Sequence, residues 1–225
     1  IMVLKSISRQ GFILLILSII FLTVGCSNSD SDTVTSSNSS VSSNTGAGST
    51  ENNSGVVTTI AGTGSPGSAN DIGTKASFSG PYGVTIDSNG NIIMADGRNL
   101  IRKIDTDGVV TTIAGSGSAG SANGTGTAAS FSYPTGVAID SAGNIIVADR
   151  SNHLIRKIDG STYEVTTIAG TGSAGNVNGT GTDASFAQPR GLAIDSAGNI
   201  IVADKSNHLI RKIEAYTYDQ TIKPS

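Results

Sequence analysis

The stretch TTIAGSGSAG, residues 111–120, places Gly115, Gly117 and Gly120 in the G-x-G-x-x-G spacing of a dinucleotide-binding turn, directly after a strand-like run. In such a turn the glycines let the backbone approach a pyrophosphate, and a helix begun at the turn aims its N–H groups at the charge. The residues after Gly120 are SANGTGTAASFSYP, polar and glycine-rich, with no apolar period of 3.6 residues and low helix propensity. The spacing recurs at Gly62, Gly64, Gly67 and at Gly170, Gly172, Gly175, so it belongs to a repeat and not to a nucleotide site. Few other residues could do chemistry. His153 and His208 occupy equivalent places in two repeats, pointing toward the outside, and could hardly share a zinc ion that asks for three or four ligands. Asp87, Asp140 and Asp195 also recur, each before a tight turn whose N–H groups a carboxylate can bind, with a calcium role as the alternative. Ser118 has Ser116, not glycine, two residues before it, which excludes a nucleophile elbow. The sequence implies no cofactor, no metal and no catalytic residue.

The ends set the context. Lys5 and Arg9 precede an apolar run over residues 12–24 that closes with Leu22-Thr23-Val24-Gly25-Cys26, the layout of an export signal. Thirteen residues fall short of the roughly 20 a membrane-spanning helix needs. Gly25-Cys26 resembles the lipobox of bacterial lipoproteins, although Thr23 stands where Leu is commonest. That resemblance implies a signal peptide over residues 1–25 and a diacylglyceryl group on the Cys26 thiol. Cys26 is the single cysteine of the chain and has no intramolecular disulfide partner. Ser27 in place of Asp implies an outer-membrane or cell-surface location in the bacterial envelope. Residues 26–54 are rich in Ser, Asn and Thr with nothing aromatic to bury, a flexible lipid-anchored tether. With Lys5 and Arg9 set aside, 12 Lys and Arg face 17 Asp and Glu, a net −5, which argues against nucleic acid as a partner.

Residues 55–225 hold one unit written three times. TTIAG begins at 58, 111 and 166, ASF at 76, 129 and 184, and a Pro-x-Gly segment at 81, 134 and 189. The offsets are 53 and 55 residues, a period that signals propeller blades. Each unit reads as four strands. In the second, GVAID and NIIVAD flank a Ser-Ala-Gly turn, LIRKI comes next, and VTTIAG completes the set. Runs such as NIIVA suit strands buried on both faces.

Ser151-Asn152-His153-Leu154 and Ser206-Asn207-His208-Leu209 spell the motif of the NHL repeat family. The resemblance spans residues 56 to about 213, with every segment in family order. The first unit, ADGRNLIRKI, is one residue shorter and lacks the histidine, so a tighter loop is expected at Gly97 to Asn99. Ile93, Ile146 and Ile201 stand where the family usually has tyrosine. The resemblance implies an all-β fold of propeller blades, usually about six to a ring, and does not by itself name a ligand.

In a propeller, the loops that lead into the inner strands and the loops between second and third strands share one face. That face would carry Tyr82, Tyr133, Gln188 and Arg190 at the strand starts, and Arg98, Arg150, His153, Lys205 and His208 in the shorter loops. Aromatic and Arg side chains are common anchors of a protein or glycan contact. The expected function is therefore a surface-anchored, non-enzymatic scaffold, with a metal-dependent hydrolase or lyase on the same fold as the alternative. Near-identical blades favour the scaffold, because an active site needs unlike residues brought together. Three blades do not close a ring, since known rings use roughly 4 to 8. A homodimer would complete six, with the outer strand over residues 56–61 finishing the partner's last blade and the 220–222 tail yielding to it; a fragment of a longer propeller is the competing expectation. For the anchor, Cys26→Ala should move the protein from the detergent to the aqueous phase in Triton partition, whereas an unchanged detergent signal would mean an uncleaved helix.

Overall fold

The computed structural model describes residues 55–215; the leader, Cys26, the polar segment and the 220–222 tail lie outside them. Twelve strands form three antiparallel sheets. Blade 1 is β1 (Pro81–Ile86), β2 (Ile92–Asp96), β3 (Leu100–Ile104) and β4 (Val110–Ala114) in that order. Blade 2 is β6 (Pro134–Ile139), β7 (Ile145–Asp149), β8 (Leu154–Ile158) and β9 (Glu164–Ala169), with the two-residue β5 (Gly124–Thr125) added outside β9. Blade 3 has only β10 (Pro189–Ile194), β11 (Ile200–Asp204) and β12 (Leu209–Ile213). The expected strand over residues 56–61 is not paired. Its ladder partner would be a third strand of a preceding blade, and Val56 and Val57 are instead 70% and 95% exposed.

The hairpin turns form as their residues dictate. Asp140 Oδ1 accepts the Ala142 and Asn144 N–H groups at 2.9 and 2.8 Å, its Oδ2 accepts Asn144 Nδ2 at 2.9 Å, and Gly143 supplies φ 83°. Asp87 and Asp195 hold their own turns in the same way. The Asn199 amide and backbone bonds draw the Asp195 carboxyl below its ordinary range. All three aspartates are therefore occupied by separate hairpins.

The inner strands β1, β6 and β10 stand side by side, and glycine permits it. A Cβ on Gly136 would fall on the Arg190 carbonyl oxygen, and one on Gly83 would lie 2.5 Å from the Thr135 carbonyl oxygen. Between blades the cores are apolar. Ile93, Ala95, Ile101 and Ile113 of blade 1 meet Val137, Ile145 and Val147 of blade 2. Ile146, Ala148 and Ile155 on its other face meet Ile200 and Val202 of blade 3. Burial of one such Ile or Val contributes about 1.5–3 kcal/mol, and it explains why β7 is buried at all five residues.

Inside blades 1 and 2 an arginine in the middle of LIRKI is removed from water, and its counterpart in blade 3, Arg211, is 12% exposed. Arg156 is fully buried, with Nη1 3.0 Å from Asp149 Oδ2. Its Nη1 also donates to Ser130 O, its Nη2 to Ala122 O and Asn123 Oδ1, and its Cζ lies 5.4 Å over the Phe131 ring. Arg102 with Asp96 and Arg211 with Asp204 repeat the arrangement at 3.2 and 3.1 Å. The long glycine-rich loop, exposed at the surface between blades, is thereby clamped to its blade. Its third glycine packs on the ASF segment: Gly120 N–H donates to Phe131 O, and a Cβ there would lie 2.6 Å from Ser130 Oγ. Removing one partner of a buried pair strands the other charge at a cost of about 3–5 kcal/mol. Arg156→Met should therefore lower stability in denaturant unfolding by that amount, and the double variant Asp149→Leu/Arg156→Met should recover the part due to the stranded charge but not the part due to the Ser132 N–H and Asn152 amide, which lose their acceptor.

Candidate binding face on the loop side of the blades

The second-to-third strand loops are held from below by the buried aspartates. Asp149 Oδ1 accepts the Ser132 N–H at 2.8 Å and its Oδ2 accepts Asn152 Nδ2 at 2.7 Å. Burial pushes the Asp149 carboxyl up, against the pull of Asn152, Ser132 and Arg156. Asn152 Nδ2 also reaches Gly120 O at 2.7 Å, and Asn207 makes the same bridge to Asp204 and Gly175. The Asn of the Ser-Asn-His-Leu motif thus ties the short loop to the long one. The histidine after it takes the left-handed conformation, φ 58° at His153 and 57° at His208. In blade 1 the shorter loop makes a tight turn at Gly97 to Asn99, as its missing residue requires. Asn99 takes the histidine's conformation at φ 63°, and a Cβ on Gly97 would lie 2.5 Å from Ser79 O.

His153 does not point outward as its sequence position suggests. Its Nδ1 accepts the Gln188 N–H at 3.0 Å across the seam between blades 2 and 3. Asn99 Oδ1 does the same for the Tyr133 N–H at 2.8 Å between blades 1 and 2. These seam bonds were not legible in the sequence, where the partners are 34 and 35 residues apart.

The seams bring most of the expected face residues together. Tyr82 and Tyr133, 46% and 43% exposed, have ring centroids 5.8 Å apart with planes tilted by 58°. The Arg150 guanidinium lies 5.6 Å over the Tyr133 ring, and its Nη2 donates to Gln188 Oε1 at 3.4 Å. Ser206 Oγ donates to the same Gln188 oxygen at 3.3 Å. Arg190, exposed at the start of β10, sends its positive field to Tyr82. The result is an exposed pair of aromatic rings beside two guanidinium groups, able to stack on a flat or apolar group and to bind acceptor oxygens. His153 lies under this cluster as a positioning group, while Lys205 and His208 are exposed on the third blade and join it through no hydrogen bond among the described residues. The neighbouring Tyr133 hydroxyl, with some burial, holds the Tyr82 phenol above its ordinary range, and the charges of Arg150 and Arg190 pull it down. In Tyr133→Phe the Tyr82 phenolate should consequently appear at lower pH, read by ultraviolet absorbance.

Among the described residues no three of His, Cys, Asp and Glu converge as a metal-binding group.

Comparison with known proteins agrees with the blade architecture. The NHL repeat profile matches residues 131–158 and 186–213, and the teneurin NHL domain profile matches residues 23–125. NHL repeat-containing protein 2 of Bos taurus is 34% identical over 165 residues, which is 67% of this chain and 23% of that protein. The chain thus spans about a quarter of that relative's length. A structural genomics protein of unknown function from Bacteroides thetaiotaomicron superposes with a TM-score of 0.56 at 29% identity, over 59% of this chain and 34% of that one. An auxiliary nutrient binding protein from Bacteroides ovatus superposes with a TM-score of 0.55 at 23% identity, over 63% of this chain and 38% of that one. The chain belongs to the NHL-repeat family, and its three blades are an open arc of a β-propeller.

Proposed function

We propose that this chain is a lipid-anchored, non-enzymatic scaffold of the bacterial envelope, at the outer membrane or cell surface, that binds a protein or glycan through its loop face. The observation that carries the reading is where the repeat stops repeating. Strands, turns and buried ion pairs are nearly the same in each blade, but the residues flanking the strand-leading proline are Gly80 and Tyr82, Tyr133 and Thr135, Gln188 and Arg190. Thr135 is buried and its hydroxyl donates to the Pro189 and Arg190 carbonyls, so packing accounts for it, but Tyr82, Tyr133 and Arg190 leave their side chains exposed. The diversity falls on the face that already gathers Tyr82, Tyr133, Arg150 and Arg190. Two large rings and two guanidinium groups are residue types that dominate binding energy at contact sites. The polar tether at residues 26–54 gives the reach such a receptor needs beyond a lipid at Cys26.

The test is affinity capture from envelope and extracellular material by the full chain, with Tyr133→Ala/Arg150→Ala/Arg190→Ala as the control. Truncating three anchors should weaken capture by about tenfold or more while the circular dichroism spectrum stays unchanged. Equal capture by both proteins would refute the loop-face assignment.

A further inference from the structure

We propose that the loop face binds an acidic polysaccharide, the ring of one uronate residue stacking on Tyr82 and its carboxylate seated on the guanidinium groups of Arg150 and Arg190. The proposal rests on the loop-face reading given above and names the chemistry of its ligand.

The first observation is strained backbone that presents side chains. The residue before the proline of each inner strand takes the left-handed conformation, at φ 71° for Gly80, 55° for Tyr133 and 54° for Gln188. Glycine adopts that conformation without steric cost, whereas a residue with a Cβ is strained in it. Blades 2 and 3 therefore carry strain at the two positions whose side chains build the cluster around Arg150. The adjoining blade holds both in place: Asn99 Oδ1 accepts the Tyr133 N–H at 2.8 Å, and His153 Nδ1 accepts the Gln188 N–H at 3.0 Å. Burial gives no reason for a tyrosine at the first of them, since Tyr133 is 43% exposed.

The second observation gives the short loop of blade 1 a purpose. ADGRNL has one residue fewer than ADRSNHL and ADKSNHL, and the change sets Gly97 beside the Tyr82 ring. A Cβ on Gly97 would lie 3.4 Å from Tyr82 Cε2, and one on Gly80 would lie 3.9 Å from the same atom. Two glycines thus leave room for the ring, and the Tyr133 ring stands 5.8 Å from it, centroid to centroid. The Arg150 guanidinium lies over Tyr133, so Tyr82, 46% exposed, is the ring left for a ligand. The negative face of an aromatic ring attracts the polarised C–H groups on one face of a pyranose. Hydroxyls at the rim of the sugar then need polar partners. The two tyrosine hydroxyls are such partners, and so is the amide nitrogen of Gln188, whose Oε1 already accepts from Arg150 Nη2 and Ser206 Oγ.

The third observation is charge. The chain is acidic overall, with 14 Lys and Arg against 17 Asp and Glu, but the charges are sorted between the two ends of the blades. Asp87, Asp105, Asp140, Asp159 and Asp195 stand in the hairpin turns at one end. At the other end the strand lead-ins and the second-to-third strand loops carry Arg98, Arg150, Arg190 and Lys205. The carboxylates of those loops, Asp96, Asp149 and Asp204, are buried against Arg102, Arg156 and Arg211. Arg150 is held by neutral groups, the Tyr133 ring and Gln188 Oε1, and its buried Nε has no partner among the described residues. With Nε sealed, a ligand reaches the guanidinium from its Nη1 and Nη2 edge. Arg190 is exposed one residue beyond the proline of β10, as Tyr82 is in β1, and both strands flank β6. A carboxylate matches the planar fork of a guanidinium through two parallel N–H···O bonds. A uronate is the ligand that joins this anion to a ring with an apolar face.

The test is titration calorimetry of the full 225-residue chain, in mild detergent and calcium-free buffer, with polygalacturonate, alginate and hyaluronate. At least one of the three should bind. Methyl esterification of the bound polymer keeps the rings and removes the charge, and poly-glutamate keeps the charge without the rings; each should bind weaker by about tenfold or more. Arg150→Gln, Arg190→Gln and Tyr82→Ala should each weaken binding by about tenfold or more with an unchanged circular dichroism spectrum. Tyr133→Gly, a replacement that the left-handed backbone accepts, should weaken it as well and serves if Tyr82→Ala does not fold. Lys157→Gln, an equal loss of charge near the Asp159 turn at the far end of blade 2, should bind as the parent does. Binding of none of the three polymers, equal binding of the esterified polymer or of poly-glutamate, or equal losses in Lys157→Gln and Arg190→Gln would each overturn the proposal. If no polymer binds while the triple alanine variant still loses capture from envelope material, the loop face serves another class of ligand. If capture is also the same for both proteins, the loop-face reading falls with the proposal.

Discussion

The structure depends on one arginine per blade paired with a buried aspartate, fully out of water in blades 1 and 2. An ion pair inside a protein gains little net stability, because both charges lose their hydration. It holds only where nearly every donor and acceptor finds a partner. Arg156 meets that demand with two backbone carbonyls, an asparagine and Asp149, and Asp149 accepts from Ser132 and Asn152 in return. Only its Nε is left without a partner among the described residues. The groups that satisfy the pair come from four separate segments. They are the glycine-rich loop, the ASF segment, the lead-in to the inner strand and the Ser-Asn-His-Leu loop. The pair therefore specifies how the loops lie on the blade more than it stabilises the blade.

The division of labour between the two faces of each blade and its loop edge derives from this. Apolar seams such as Ile101 and Ile113 against Phe131, Val147 and Ile158 keep water from the guanidinium. The guanidinium then fixes the loops, and the loops present side chains that no packing requirement dictates. Close approach of the inner strands adds a second demand, met by Gly83 and Gly136. Once these positions are satisfied, the residues beside each proline are at liberty to differ from blade to blade. Tyr82, Tyr133, Gln188 and Arg190 occupy that liberty, and they are drawn together because the seams set their blades at fixed spacing.

Much of this could be read from the sequence, for local reasons. The strands of NIIVAD and LIRKI, the Asp-Ser-Ala-Gly turn and the shorter first loop depend on neighbours in the chain, and the structure places them where the residues indicate. The residues gathered on the loop face also derive from blade topology. The long-range polar contacts were hidden. A charged residue in LIRKI reads as the solvent side of an alternating strand, and only its recurrence in all three units, always six or seven residues after a buried aspartate, hints otherwise. That residues 56–61 find no ladder partner among the described residues was legible from the strand count of the three units, which leaves that outer strand spare.

Native-state hydrogen exchange at the Ser132 amide, whose acceptor is the buried Asp149 carboxylate, tests the central claim most directly. If the ion pair clamps the loops to the blade, this amide exchanges only with the opening of the whole blade, at the rate of the Val147 and Ile155 amides in β7 and β8. Fast exchange at Ser132 while those strand amides stay protected would show that the loops move independently of the buried pair, and would contradict the account.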